Sequence, residues 1–232
     1  MTCCWSWSRE HSPVLVRTAA LVARIGAAAT PRLDHPLAHS AMGVTRIIAG
    51  RAGGRRITVP PRGTRPTSER VREALFSALE SDPGLTGAAV LDLCAGSGAL
   101  GLEALSRGAA HALFVESDRQ TAAVLRRNLS ALGLGGEVRV APVHAVLSTP
   151  ADRPYDVVLV DPPYQVPDAE VAEWLATGDR HGWLADDAVV VVERRAGGGP
   201  FPWPTPLRPR RERRYGDTVL HVGVRYGPAR AG

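Results

Sequence analysis

The stretch Val90–Gly101, V-L-D-L-C-A-G-S-G-A-L-G, limits what this chain can become more than any other. An apolar run that halts at a glycine turn and resumes with helix formers reads as a strand, a tight turn and a helix N-terminus. Such a turn leaves backbone N–H groups and a positive helix end facing a nucleotide-like ligand. A second buried strand, V-V-L-V-D-P-P-Y, ends at Asp161 in a carboxylate, two prolines and an aromatic ring. The glycines Gly96-x-Gly98-x-x-Gly101 also spell the dinucleotide fingerprint, with Glu116 about twenty residues further on. Taken alone they leave a dehydrogenase open.

Asp92, four residues before Gly96, shifts the balance. D-x-C-x-G-S-G resembles the first motif of class I S-adenosylmethionine methyltransferases. That resemblance implies that Asp92 neighbours the amino-acid moiety of the cofactor. It implies as well that Ala95, Gly96, Ser97 and Gly98 bring backbone close to the ligand, and that Glu116, followed by Ser117, accepts from both ribose hydroxyls.

The D-P-P-Y end carries its own chemistry. An exocyclic amine on a nucleobase is a poor nucleophile because its lone pair is delocalised into the ring. A carboxylate (Asp161) and a carbonyl at a proline-stiffened turn (Pro162) can accept its two N–H groups and aim the lone pair. The ring of Tyr164 can stack on the base. The set resembles the amino-methyltransferase motif [ND]-P-P-[YF], shared by DNA adenine-N6, cytosine-N4 and RNA guanine-N2 enzymes.

A chain of 232 residues holds one α/β domain and a small appendage. No run of 18 apolar residues occurs, so no membrane span is expected. Cys3, Cys4 and Cys94 form neither a disulfide framework nor a metal spacing, which suits a reducing cytoplasm. All 28 basic residues are Arg, a bias that GC-rich coding explains without function. Bias does not explain clustering. Residues 44–73 hold eight Arg against Glu69 and Glu73, and residues 207–214 hold five against Glu212, in a chain whose net charge is only +5. Two basic segments thus flank an acidic body, the distribution that a polyanion requires. Arg46, Arg51, Arg55, Arg56, Arg65, Arg70, Arg211, Arg213 and Arg214 are the candidate RNA contacts.

Along the chain, residues 1–42 read as a disordered or mis-called extension, translation starting near Met42 or Val44. Residues 43–80 read as a hairpin (Arg46–Ile48 and Arg56–Val59 about a glycine-rich turn) and an amphipathic helix capped by Thr67 or Ser68. Thr67 and Arg70 are expected to border the pocket. Residues 81–227 alternate in the manner of a parallel α/β sheet. The pattern predicts strands at Ala88–Leu93, Ala112–Val115, Glu137–Pro142, Asp156–Val160 and Ala188–Glu193. It predicts helices at Ala99–Ser106, Asp118–Leu132 and Asp168–Ala176, then a hairpin of Leu207–Arg214 and Thr218–Arg225. Residues 228–232 are a tail. Where relatives place a polar side chain toward adenine this chain has His144, and a backbone N–H near Ala145 is the expected substitute. Glu193 either lines the pocket rim or is a solvated strand end. Cys94 is expected to be a small buried side chain rather than a nucleophile.

Together, T-R-I-I-A-G-R-A-G-G-R-R, R-P-T-S-E-R-V-R-E-A-L-F, L-D-L-C-A-G-S-G-A-L-G-L-E-A, V-D-P-P-Y and R-R-Y-G-D-T are similar to the RsmD family of 16S ribosomal RNA guanine-N2 methyltransferases, from about Val44 to Arg225. The resemblance implies a class I, Rossmann-like α/β fold: a seven-stranded, mostly parallel sheet with a C-terminal antiparallel hairpin, plus a small N-terminal β-hairpin and helix. It implies S-adenosyl-L-methionine as cofactor, no metal, and 16S rRNA or a small-subunit assembly particle as partner, acted on by a cytoplasmic monomer. A DNA amino-methyltransferase, which would need a target-recognition domain, and a non-catalytic RNA-binding assembly factor are the alternatives.

Overall fold

Strands that are apolar on both faces must be covered on both faces, and the chain meets that demand with helices on each side of one sheet. The computed structural model describes residues 42–61 and 68–227. In chain order its elements are β1 (Gly43–Arg46), β2 (Arg56–Val59), α1 (Glu69–Ser81), β3 (Ala89–Leu93), α2 (Ala99–Ser106), β4 (His111–Glu116) and α3 (Arg119–Leu132). Then follow β5 (Glu137–Val140), α4 (Val143–Leu147), β6 (Tyr155–Val160), α5 (Asp168–Arg180), β7 (Leu184–Arg195), β8 (Leu207–Tyr215) and β9 (Thr218–Arg225).

Seven strands form one sheet in the order β5-β4-β3-β6-β7-β9-β8. The first five are parallel, while β9 runs antiparallel to both β7 and β8. The two-residue period of a strand sorts side chains between two cores. Val90, Phe114, Leu159 and Val191 face α1, α2 and α3; Leu91, Val115, Val160 and Val192 face α4 and α5. That period puts Asp92 on the side of α2.

Helix ends follow local chemistry. Ser68 accepts from the Val71 N–H at 3.3 Å to open α1, and Asp118 accepts from the Thr121 N–H at 2.7 Å to open α3. Gly133, at φ +64°, closes α3.

Several expectations differ from the structure in detail, among them the strand expected at Ala188–Glu193, which runs Leu184–Arg195. The first hairpin strand is Gly43–Arg46, not Arg46–Ile48. Ile47 still bonds to Arg55 and Gly54 across the hairpin, and past it the backbone turns away as the N–H groups of Ile48 and Ala49 donate to the Glu103 carboxylate, at 2.7 and 3.0 Å. The helix expected to end at Ala176 runs on to Arg180. Gly178 is buried inside it, where a Cβ would make an ordinary contact 3.4 Å from Leu147. Helix α4, with Pro142 as its N-cap, has too few residues to show a period in sequence. Thr67, Arg65 and the proposed extension before residue 42 lie outside the described residues.

The hairpin is fastened to the body by buried polar groups. Glu103, fully buried, also accepts from Arg107 Nε at 2.7 Å. Arg72, equally buried, donates to Thr45 Oγ1 and the Arg46 carbonyl at 2.8 and 2.9 Å. Asn128 exchanges two hydrogen bonds with Thr58 and donates a third to the Ser97 carbonyl at 2.9 Å. Removing one partner from such a set strands the others in a dry interior. Glu103→Ala is therefore expected to destabilise the protein by about 3 kcal/mol, from two stranded amides and an Arg107 guanidinium left with Glu80 alone. Urea denaturation checks this, and a midpoint unchanged from the parent contradicts it.

Candidate active site

In an open α/β sheet a ligand binds at the carboxyl ends of the strands where the strand order reverses. Here that point lies between β3 and β6, and it holds both stretches that dominate the sequence. Leu93 is in register with Val115 on one side and Val160 on the other, so three strands end at one level. The Asp161 N–H donates to the Leu93 carbonyl at 3.4 Å, and the Ala95 N–H to that of Val115 at 3.0 Å. The glycine turn and the D-P-P-Y turn are thereby tied to the same strand end.

Each glycine of the turn has a separate reason. Gly96 (φ +56°) and Gly98 (φ +83°) occupy the left-handed region. A Cβ on Gly98 would strike Leu125 at 2.2 Å and one on Gly101 would strike Phe114 at 2.4 Å, so both are packing positions. A Cβ on Gly96 would meet nothing nearer than 4.0 Å, leaving open space above the turn for a ligand.

The carboxylates gather here. Glu116 holds the Gly96 N–H at 2.9 Å through one oxygen and the Asp118 N–H at 2.8 Å through the other. Each oxygen keeps a second lone pair for a ligand hydroxyl. Asp92 is 1% exposed; one oxygen accepts from the Gly101 N–H at 2.9 Å, and the other is buried with no hydrogen-bond partner. Burial, outweighing the Gly101 hydrogen bond, and the nearby Glu116 push its carboxyl up to about 7. An orphaned carboxylate oxygen beside an open glycine turn fits the ammonium of an amino-acid moiety. Burial first, then Glu116, Asp161 and Asp92, push the Cys94 thiol far above its usual range. It stays protonated, as a non-nucleophilic side chain must.

Beyond D-P-P-Y, Pro162 is buried, and the Val166 N–H closes a turn on the Pro163 carbonyl at 2.9 Å. Tyr164 borders a cleft of about 370 Å³ with Val71, Glu193, Arg195, Asp217 and Thr218. Burial, Glu193 and Asp161 raise its hydroxyl pKa, against a hydrogen bond with Thr218 and the charge of Arg195. Arg194, missed in the sequence, braces the loop: it donates to the Val166 carbonyl and pairs with Asp168, each at 2.7 Å. An Arg-Arg pair at a strand end gives no sign of which member turns inward.

The remaining candidates spread around this centre. Ser117 is exposed just past Glu116. The Ala145 N–H is engaged by the Pro142 carbonyl at 3.1 Å inside α4, and His144 is exposed. Arg46 pairs with Glu69 at 2.9 Å, while Arg51 and Arg55 donate to the carbonyls of Leu134 and Leu132 at 3.1 and 2.9 Å, behind α3. Arg56, Arg70, Arg211 and Arg213 are exposed, and Arg214, also exposed, donates to the Gly216 carbonyl at 3.1 Å. The β8 arginines lie on an edge strand, where charge also blocks pairing with another chain.

Strand order, switch-point carboxylates and terminal antiparallel strands define a class I methyltransferase fold. The family described as "Conserved hypothetical protein 95" matches residues 45–224. Ribosomal RNA small subunit methyltransferase D of Escherichia coli K12 is 42% identical over 163 residues, covering 69% of this chain and 80% of that protein. The Haemophilus influenzae protein of the same name is 40% identical over 159 residues, 66% of this chain and 80% of its own length. A solved structure described as a putative methyltransferase from Escherichia coli aligns with a TM-score of 0.71 at 36% identity, covering 79% of this chain and 99% of that one. The chain belongs to this family, the RsmD methyltransferases.

The buried acid has a measurable signature. An unfolded Asp titrates near pH 4, whereas Asp92 in the folded protein holds its proton to about 7. Its contribution to stability is therefore fully present below about pH 4, is lost as pH rises to about 7, and is level above that. Asp92→Asn removes the dependence. Thermal melting should show the variant gaining on the parent between pH 5 and pH 8, and parallel profiles would contradict the assignment.

Proposed function

We propose that this protein transfers a methyl group from S-adenosyl-L-methionine to the exocyclic N2 amine of one guanine in small-subunit ribosomal RNA. The observation that carries the reading is the register of β3 with β4 and β6, which brings the glycine turn, Glu116 and the D-P-P-Y turn to one edge of the sheet, with Tyr164 on an open cleft. The names of the relatives supply the RNA class, and the resemblance noted in the sequence supplies the atom.

In this reading Asp92 holds the ammonium of the cofactor, Glu116 its ribose hydroxyls, and the backbone of Ala95–Gly98 lies along it. Bound there, the cofactor supplies an electrophilic methyl group on a sulfonium. Asp161 and the Pro162 carbonyl accept the two N–H groups of the guanine amine, which directs its lone pair. Tyr164 stacks on the base and restrains its plane. Asp161 would also take up the proton that the amine sheds on methylation. The other contributions are positional, the kind of catalysis that orientation alone can make large. A guanine in a loop is cheaper to splay out than one in a duplex, so a loop is the expected target.

The exposed arginines Arg56, Arg70, Arg211 and Arg213 hold flanking phosphates, making binding salt-dependent. The protein acts as a cytoplasmic monomer on 16S rRNA or on a particle assembled around it.

Two measurements test this. Incubation with labelled cofactor and small-subunit RNA or particles lacking the modification should yield N2-methylguanosine at one position by mass spectrometry; a different methylated nucleoside would overturn the assignment. Asp161→Ala should lower methyl transfer by at least about a thousandfold, the scale on which positioned catalytic groups act, while cofactor affinity stays within twofold. Wild-type turnover in that variant would contradict the role given to Asp161.

A further inference from the structure

The D-P-P-Y turn explains how an amine is held but not which base carries it, since adenine, cytosine and guanine all present one. The three differ at the ring atom beside that amine. Adenine N1 and cytosine N3 are lone-pair acceptors there, whereas guanine N1 carries a hydrogen. A carboxylate, which only accepts, suits guanine alone.

The cleft contains such a group. Glu193 is 4% exposed and lines the cleft with Tyr164 and Thr218. It sits on β7, whose Val191 and Val192 are in register with Leu159 and Val160 of β6. One step further, Asp161, just past the end of β6, falls beside Glu193 of β7, on strands that lie about 4.8 Å apart. Alternation puts both on the face of Leu159 and Val191, and both act on the Tyr164 hydroxyl. The ring expected to carry the base thus has two carboxylates beside it on adjacent strands. Arg195, at the same cleft, offsets part of their charge.

We infer that Glu193 is the guanine-selecting residue: it accepts the N1–H while Asp161 holds the adjacent N2 amine. The inference rests on the methyl-transfer reading above and adds to it the discrimination among bases. A buried acceptor facing adenine N1 or cytosine N3 sets lone pair against lone pair, and a site built around one hydrogen bond rejects ligands that cannot make it. Glu193 performs no chemistry; it selects by hydrogen bonding.

The direct probe is small-subunit RNA carrying 2-aminopurine at the mapped guanine. That base keeps the N2 amine, replaces the N1–H with a lone pair and lacks O6, so the effect is assigned to Glu193 by comparing the variant with the wild type. The wild-type enzyme should prefer guanine by about a hundredfold or more in kcat/KM. Glu193→Gln, whose amide can accept from the guanine N1–H or donate to that lone pair, should keep activity on guanine, gain it on 2-aminopurine and bring the ratio within about tenfold. Cofactor affinity, measured alongside, reports whether the variant is intact. An intact variant that keeps the wild-type ratio overturns the inference. Equal wild-type rates on the two bases refute the assignment; if Glu193→Gln does not fold, Glu193→Ala serves instead, an intact protein whose guanine preference falls at least about tenfold supporting the assignment and one whose preference is unchanged refuting it. A wild type that methylates no guanine at all contradicts the functional reading itself, a result distinguishable from either.

Discussion

Hydrogen bonding of β3 between two parallel neighbours decides where this molecule can do chemistry. With Leu93, Val115 and Val160 at one level, the residues that follow each strand emerge together. The glycine turn, Glu116 and Asp161 come to one edge of the sheet from three segments distant in sequence. The sheet makes this possible by being apolar on both faces, so that the packing of α1 to α5 fixes its register. A one-residue slip of β6 would turn Asp161 away from the side that holds Asp92.

The same region carries an electrostatic cost. Asp92 is held in the interior by a single amide, and its proton is retained well above the usual carboxylate range. A core built only for stability would not put an acid there. Its retention is intelligible where a cation is to be bound, since the ligand then restores the interaction that burial removed. The N-terminal hairpin shows the contrasting use of buried charge. Glu103 and Arg72 are each surrounded by several partners and serve to hold the hairpin against α1 and α2. Asn128 continues that contact to the Ser97 carbonyl, so the appendage and the glycine turn share a hydrogen-bonded support.

Much of this was legible in sequence because local and tertiary signals agree there. The strand before Gly96, the capping residues Ser68 and Asp118, the stop at Gly133 and the terminal hairpin all have short-range causes. Features set by distant partners were not legible. Glu103 reads as a surface position of α2 until Ile48 and Ala49 are known to point their amides at it. Arg51 and Arg55 resemble their exposed neighbours, yet their guanidinium groups are committed to carbonyls at the end of α3. Clustering of charge locates a basic face without saying which of its members are already occupied.

The central claim is that one cleft joins the glycine turn to the D-P-P-Y turn. A crystal structure with S-adenosylhomocysteine bound tests it most directly. The account predicts the ribose at Glu116, the amino-acid moiety at Asp92, and the sulfur directed toward Asp161 and Tyr164. A ligand seated elsewhere, or a sulfur separated from Asp161 by packed protein, would contradict it.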